Sequence, residues 1–319
     1  MALDIEAALD AWREDNRVDL VVIDAEGDRA FCAGGDIQDL YDTAVAGDFE
    51  YGRTFWRDEY RLNAKIAAYP KPFVALMQGF VMGGGVGISC HGSHRVVCES
   101  SQIAMPECGI GLVPDIGGSL ILANAPGHMG EYLGMSGARM GAGDAIYAGF
   151  ADTYVPQSKW IGLSAELEET GDVNVITKQE MPAPSADLAA LQPDVDRLFS
   201  GQDFREILSK LTGDTSEFAA KTLKTLSKKS PISVASTPDL IAASRADGTM
   251  AGALSNEYRF TFRSASDGDF IEGIKATIID RNHTQRWRIA TMAGVGQDAI
   301  DRMLAPLGHD ELDLKGDTP

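Results

Sequence analysis

A chain of 319 residues, 44% of them hydrophobic, can bury a full core and holds one large domain with room for an appendage. Its 28 Lys and Arg against 47 Asp and Glu give a formal net charge of -19, which argues against a broad nucleic-acid or anionic-membrane surface. No apolar run reaches the roughly 18 residues of a membrane span, residues 1–10 carry no basic or apolar leader pattern, and Cys32, Cys90, Cys98 and Cys108 lack C-x-x-C spacing, so a cytoplasmic protein with reduced thiols and no metal is expected.

Ile5, Ala8, Leu9 and Trp12 recur at helical spacing, and the β-branched run VDLVVID over 18–24 predicts a buried strand after that helix. FCAGGD, residues 31–36, is a glycine turn. Gly34 and Gly35 there can bring backbone N–H groups onto a ligand, or can simply turn a strand into a helix capped by Asp36. A long polar-aromatic helix is predicted over 49–68, stopping before Pro70 and Pro72. PFVALMQG then reads as a strand and MGGGVG, 82–87, as a tight turn into a helix whose free N–H groups can face an oxyanion or pack closely on a sheet. The triplet matches neither the phosphate-binding G-x-x-x-x-G-K-[ST] nor the dinucleotide G-x-G-x-x-G, which removes support for nucleotide hydrolysis and hydride transfer.

HRVVCE and QIAMPE follow as short strands and IGGSLILANA as a helix, giving a strand-strand-helix rhythm. Between them AMPECGIGLVPDIGG, 104–118, places two lone carboxylates in an otherwise uncharged stretch. Glu107 sits where a strand delivers a side chain to its end. Asp115 stands before a helix, where capping competes with chemistry. Beyond Tyr154 the rhythm fades through a Pro/Ala/Asp-rich connector over 178–194 into helices near 203–211, 215–227 and 238–246. The expected division is a core over 1–195 and a helical C-terminal region over 196–319.

AFCAGGDI, MGGGVG and AMPECGIGLVPDIGG, in this order and at these intervals, resemble the enoyl-CoA hydratase/isomerase (crotonase) superfamily. RDEYRLN at 57–63, the pairing of Glu107 with Asp115, and EYRFTFRSASDGDFIEGIKATIIDRNHTQRW at 257–287 resemble its 3-hydroxyisobutyryl-CoA hydrolase subgroup. The resemblance implies an α/β crotonase-type superhelix of repeated ββα units with a helical C-terminal region. It makes the N–H groups of Gly35 and Gly84 an oxyanion hole and places Ala33, Gly34, Asp36, Ile37 and Glu59 at the substrate. Glu107 becomes the nucleophile or general base, and Asp115 the partner of a 3-hydroxyl or of water. The implied partner is an acyl-CoA in valine degradation, with coenzyme A part of the substrate, no separate cofactor, and a homo-oligomer as a possible assembly. Hydratases of this superfamily carry a second glutamate three residues after the middle glycine of the triplet, where this chain has Gly87. An isomerase, needing one base, and a non-catalytic acyl-CoA binder are the other readings.

Overall fold

The computed structural model describes residues 1–280 and 282–314. Among the described residues, seven short strands form two parallel sheets. In the first, β1 (Val21–Ile23), β3 (Phe73–Met77), β5 (His94–Val97) and β7 (Thr153–Tyr154) lie in that order. In the second, β2 (Ala30–Cys32), β4 (Phe80–Met82) and β6 (Gln102–Ala104) lie side by side. The chain visits one sheet, then the other, then a helix, and repeats. Every residue of β3 is buried, which is why PFVALMQG lacks the alternation of a half-exposed strand. The first strand is shorter than the 18–24 run, because Val18 N–H bonds the Asp15 carbonyl at 3.0 Å and commits the first residues to a turn.

Five helices of the first part matter for the site: α1 (Ala2–Arg13), α2 (Ile37–Val45), α3 (Phe49–Ala67), α4 (Gly84–Ser89) and α5 (Gly118–Asn124). In register, Phe80 of β4 lies beside Gln102 of β6, and Ala30 of β2 beside Phe80. The three strands of the second sheet run the same way, so their carboxyl ends share one edge. Residues 33–35, 83–84 and 105–107 therefore emerge together, and that edge is where parallel sheets hold ligands.

The connector expected over 178–194 gives way to a helix, Asp187–Phe199, which carries Pro193 inside it. Leu188, Val195, Leu198 and Phe199 are buried from it. Four such side chains at roughly 1.5–3 kcal/mol each outweigh the roughly 3 kcal/mol of an interior proline. Residue 195 falls within this helix. The segment expected over 238–246 begins earlier, at Pro231, with Ser230 Oγ accepting from Ser233 N–H as its cap and Pro238 in its interior. One apolar cluster joins Phe31, Val81 and Ile103 of the first part to Phe199, Leu254, Phe270 and Ile300 of the second. The C-terminal helices thus close over the strand edge.

Candidate active site

A cavity of about 370 Å³ opens at the carboxyl edge of β2, β4 and β6. Ala33, Gly34 and Gly35 form one wall, Gly83 and Gly84 the next, and Pro106 and Glu107 the third. Phe55, Trp56 and Glu59 enter from α3, and Asp115 and Ile116 from the loop before α5. Lys229, Phe270 and Thr277 of the C-terminal region complete the lining. Most of the wall is apolar, so the polar groups in it act at low dielectric.

Gly34 (φ +108) and Gly83 (φ +52) take a backbone conformation that side chains disfavour, and each turn needs it to meet the other. A Cβ on Gly83 would lie 3.4 Å from Gly34 Cα and 3.9 Å from Glu107 Oε1. The two turns are thus in backbone contact beside the carboxylate. Among the described residues, the N–H groups of Gly35 and Gly84 donate to no protein acceptor. Gly84 opens α4, where first-turn N–H groups have no intrahelical partner.

The glycines of MGGGVG divide their work. At Gly84 a Cβ would stand 2.5 Å from Glu59 Oε1, at Gly85 it would strike the Cys32 carbonyl, and at Gly87 it would stand 2.6 Å from Asn63 Nδ2. Glu59 and Asn63 are one turn apart on α3, and Gly84 and Gly87 one turn apart on α4. The helices therefore pack by sinking two polar side chains of one into two notches of the other. Gly85 and Gly87 thus serve close packing, and Gly84 both receives Glu59 and lines the cavity.

Glu107 begins a 3-10 turn, Glu107–Ile110, directly after β6 and is 4% exposed. Neither carboxylate oxygen has a hydrogen-bond partner among the described residues. Burial pushes its carboxyl well above the usual range, the charge of Asp115 pushes the same way, and Lys229 opposes both. The turn is fixed from the C-terminal side, where Ser230 N–H donates to the Cys108 carbonyl at 3.0 Å. A desolvated carboxylate with no partner is costly. Holding the proton, as the raised value favours, relieves that cost.

Burial, and then the charge of Asp115, raises Glu59 to about 8. Asp115, 4% exposed, is raised by burial to about 6 while the Tyr60 hydroxyl, donating to Oδ2 at 2.7 Å, pulls the other way. Asp115 does not cap α5. The cap comes from Glu257, 140 residues downstream, which accepts from Gly117 N–H at 2.7 Å, from Ser119 N–H at 3.0 Å and from the Ser119 hydroxyl. Freed of capping, the Asp115 side chain lines the cavity. The residue after it, Ile116, has φ 58, the one positive φ outside glycine among the described residues. A β-branched side chain there costs about 1–3 kcal/mol. His91 helps hold it: burial keeps this imidazole neutral, lowered to about 4, and Nε2 donates to the Ile116 carbonyl at 2.7 Å.

Of the residues singled out in the sequence, Ala33, Gly34, Gly35, Ile37, Glu59, Gly84, Glu107 and Asp115 meet in this one cavity. Asp36 does not line it; its carboxylate accepts from Gln38 N–H at 3.1 Å and caps α2. Tyr60, Glu257, Lys229 and Asn63 belong to the site or its support without having been singled out. Tyr60 adjoins Glu59 and Glu257 opens the C-terminal segment of the resemblance, but their partners lie 55 and 140 residues away.

Glu59 stands partly exposed at the cavity wall and has no hydrogen bond among the described residues, so its ionisation in this apolar lining destabilises the fold. Its folded value, about 8, exceeds the ordinary 4.5, so the folded state holds a proton that the unfolded state releases. Stability therefore falls as pH rises from 4.5 and levels off above about 8. Glu59→Gln is expected to raise the melting temperature by a few degrees at about pH 9 and to change it little at about pH 5. Thermal unfolding at the two pH values checks this, and a destabilised variant at the higher pH would mean that the carboxylate makes a favourable bond.

A sequence model of the family described as Enoyl-CoA hydratase/isomerase matches residues 1–304. The 3-hydroxyisobutyryl-CoA hydrolase, mitochondrial, of Danio rerio is 36% identical over 318 residues, covering 96% of this chain and 82% of that protein. A crystal structure of an enoyl-CoA hydratase from Rhodobacter sphaeroides 2.4.1 superposes with a TM-score of 0.94 at 50% identity, covering 98% of this chain and 91% of that one. A crystal structure of a carnitinyl-CoA dehydratase from Mycobacterium thermoresistibile gives 0.93 at 35% identity, covering 99% and 91%.

Proposed function

The chain belongs to the enoyl-CoA hydratase/isomerase family and has its crotonase-type fold, and from that premise we propose that it hydrolyses the thioester of 3-hydroxyisobutyryl-CoA, or a close 3-hydroxyacyl-CoA, to the free acid and CoA. The observation that carries this reading is Glu107: a buried carboxylate with both oxygens unpartnered, beside two glycine turns with free N–H groups. The thioester carbonyl oxygen binds between Gly35 and Gly84 N–H, which brings the carbonyl carbon to Glu107. Each such donor, aimed at charge that grows as the carbonyl becomes tetrahedral, stabilises the transition state by roughly 3–4 kcal/mol. In its ionised form Glu107 adds to that carbon directly, forming an anhydride that water opens, or takes a proton from the water that adds. In either case the C–S bond breaks and CoA leaves as the thiolate.

Asp115 receives the 3-hydroxyl. Tyr60 occupies Oδ2 and, among the described residues, leaves Oδ1 without a protein donor. The branched 3-hydroxy acid is a skeleton of valine breakdown, and the reading places the enzyme there. Hydration or dehydration of a double bond, the activity in the names of the two similar structures, uses the carboxylate that hydratases carry at the position of Gly87. Here that position has no side chain, and the Asn63 amide fills the space beyond it. A pure acyl-CoA binder has no use for an unpaired buried carboxylate.

A thiol-release assay over paired hydroxylated and plain acyl-CoAs tests the proposal. Wild type should release CoA from the hydroxylated thioester in preference. Asp115→Asn should lower kcat/KM on that substrate by about 10²-fold and affect the plain one far less, because only the first loses its partner. Equal rates on both substrates by wild type would remove the hydroxyl from the recognition.

A further inference from the structure

The helix Met250–Ser264 carries a carboxylate, Glu257, that is fully buried and takes no part in the chemistry proposed above. Both of its oxygens are committed. Oε2 accepts from Gly117 N–H, and Oε1 accepts from Ser119 N–H and from the Ser119 hydroxyl, which also pairs with Ser244 Oγ at 2.8 Å. Burial raises this carboxyl to about 8, and the three donors from residues 117–119 work against that by favouring the ionised, acceptor-only form with two oxygens, which an amide cannot supply. An apolar residue would leave those donors orphaned, and a neutral acceptor could serve only part of them.

The loop so gripped is the one that presents Asp115. Asp115, Ile116 and Gly117 are consecutive, and the last two both have positive φ, 58 and 77. Such a turn does not hold itself. His91 fastens its middle at the Ile116 carbonyl, and Glu257 fastens its end. The same helix also reaches the other support of Asp115: Thr261, one turn beyond Glu257, has its Oγ1 at 3.4 Å from the Tyr60 hydroxyl, and the Tyr258 ring meets that of Tyr60 edge-on at 6.2 Å. One helix thus reaches Asp115 by two routes, through the loop and through Tyr60.

We infer that Glu257 is a positioning residue of the site, holding the strained Asp115-Ile116-Gly117 loop so that the Asp115 carboxylate stands where the substrate's 3-hydroxyl must bind. The inference rests on the reading of Asp115 as the partner of that hydroxyl. Its consequence is that substrate discrimination by a loop of the first part of the chain is fixed from a helix of the C-terminal region.

The experiment is a cycle of wild type, Glu257→Gln, Asp115→Asn and the double variant, each assayed for CoA release from 3-hydroxyisobutyryl-CoA and from isobutyryl-CoA. Glu257→Gln should lower kcat on the hydroxylated substrate by about 10- to 100-fold with KM little changed, since a shift of about 1 Å has that cost. The plain substrate should lose only a few-fold. In the Asp115→Asn background the Glu257 change should add almost nothing, because the group it positions is already disabled. Ser119→Ala removes one of the three donors while leaving both N–H bonds, and should give the same pattern, reduced to a few-fold, if the Glu257 variant fails to fold. Equal losses on both substrates, or losses that multiply in the double variant, would overturn the positioning role. Indifference of Asp115→Asn to the hydroxyl would instead overturn the reading of Asp115, whereas the multiplicative test still judges whether Glu257 acts through it.

Discussion

Glu107→Gln is expected to release CoA at no more than about 10⁻³ of the wild-type rate while still binding acyl-CoA. The amide has the shape of the carboxylate but can neither add to the carbonyl carbon nor take a proton from water. The substitution should not unfold the protein, because among the described residues neither oxygen of Glu107 has a partner to lose. It replaces a carboxyl whose ionisation burial already disfavours by a neutral group of the same shape, so the variant should be as stable as wild type or more so. Steady-state thiol release, with acyl-CoA binding followed by calorimetry, checks both halves. Near-normal turnover would take Glu107 out of the chemistry.

The second large effect is at Gly84. A valine there sets its Cβ against Glu59 Oε1 and its methyl groups over the N–H that is to hold the carbonyl oxygen. Loss of one oxyanion donor costs about 10²–10³ in kcat, and displacement of Glu59 adds to it. The obstacle is the end of a side chain, which can swing away, so the fold should persist. Gly85→Ala is the contrast: its Cβ meets the Cys32 carbonyl, part of β2, which cannot move without disturbing the sheet. Overpacking of that kind costs about 1–3 kcal/mol of stability. Gly84→Val should thus be folded and inactive, and Gly85→Ala destabilised, by thermal unfolding and thiol release on the pair. A folded, active Gly84→Val protein would assign the whole triplet to packing.

Much of this site is written in local sequence. The two glycine turns and Glu107 each follow a short apolar run, and a strand ending in Gly-Gly or in Pro-Glu reads as delivery to a sheet edge. Three such deliveries from parallel strands had to meet. The supports of the site are not local. Glu257 caps a helix 140 residues upstream, and nothing in the spacing of either segment reveals it. Asp115 looked like a helix cap because Asp before a helix commonly is one; the tertiary bond from Glu257 took over that task. The helix through Pro193 was obscured for a related reason, since a proline signals a break and only the buried face of Leu188, Val195 and Phe199 outweighs it. Local pattern gives way where a partner distant in sequence supplies the stabilisation.

Free thiol and the absorbance of a 2-enoyl thioester can be followed together when wild-type protein is given 3-hydroxyisobutyryl-CoA. With Gly87 in place of a second acid, and with Glu107 acting at the carbonyl carbon as proposed, one equivalent of CoA should appear per substrate consumed, accompanied by the hydroxy acid and no enoyl chromophore. Accumulation of the enoyl-CoA without free thiol would contradict the assignment of Glu107 to the thioester and make the protein a dehydratase.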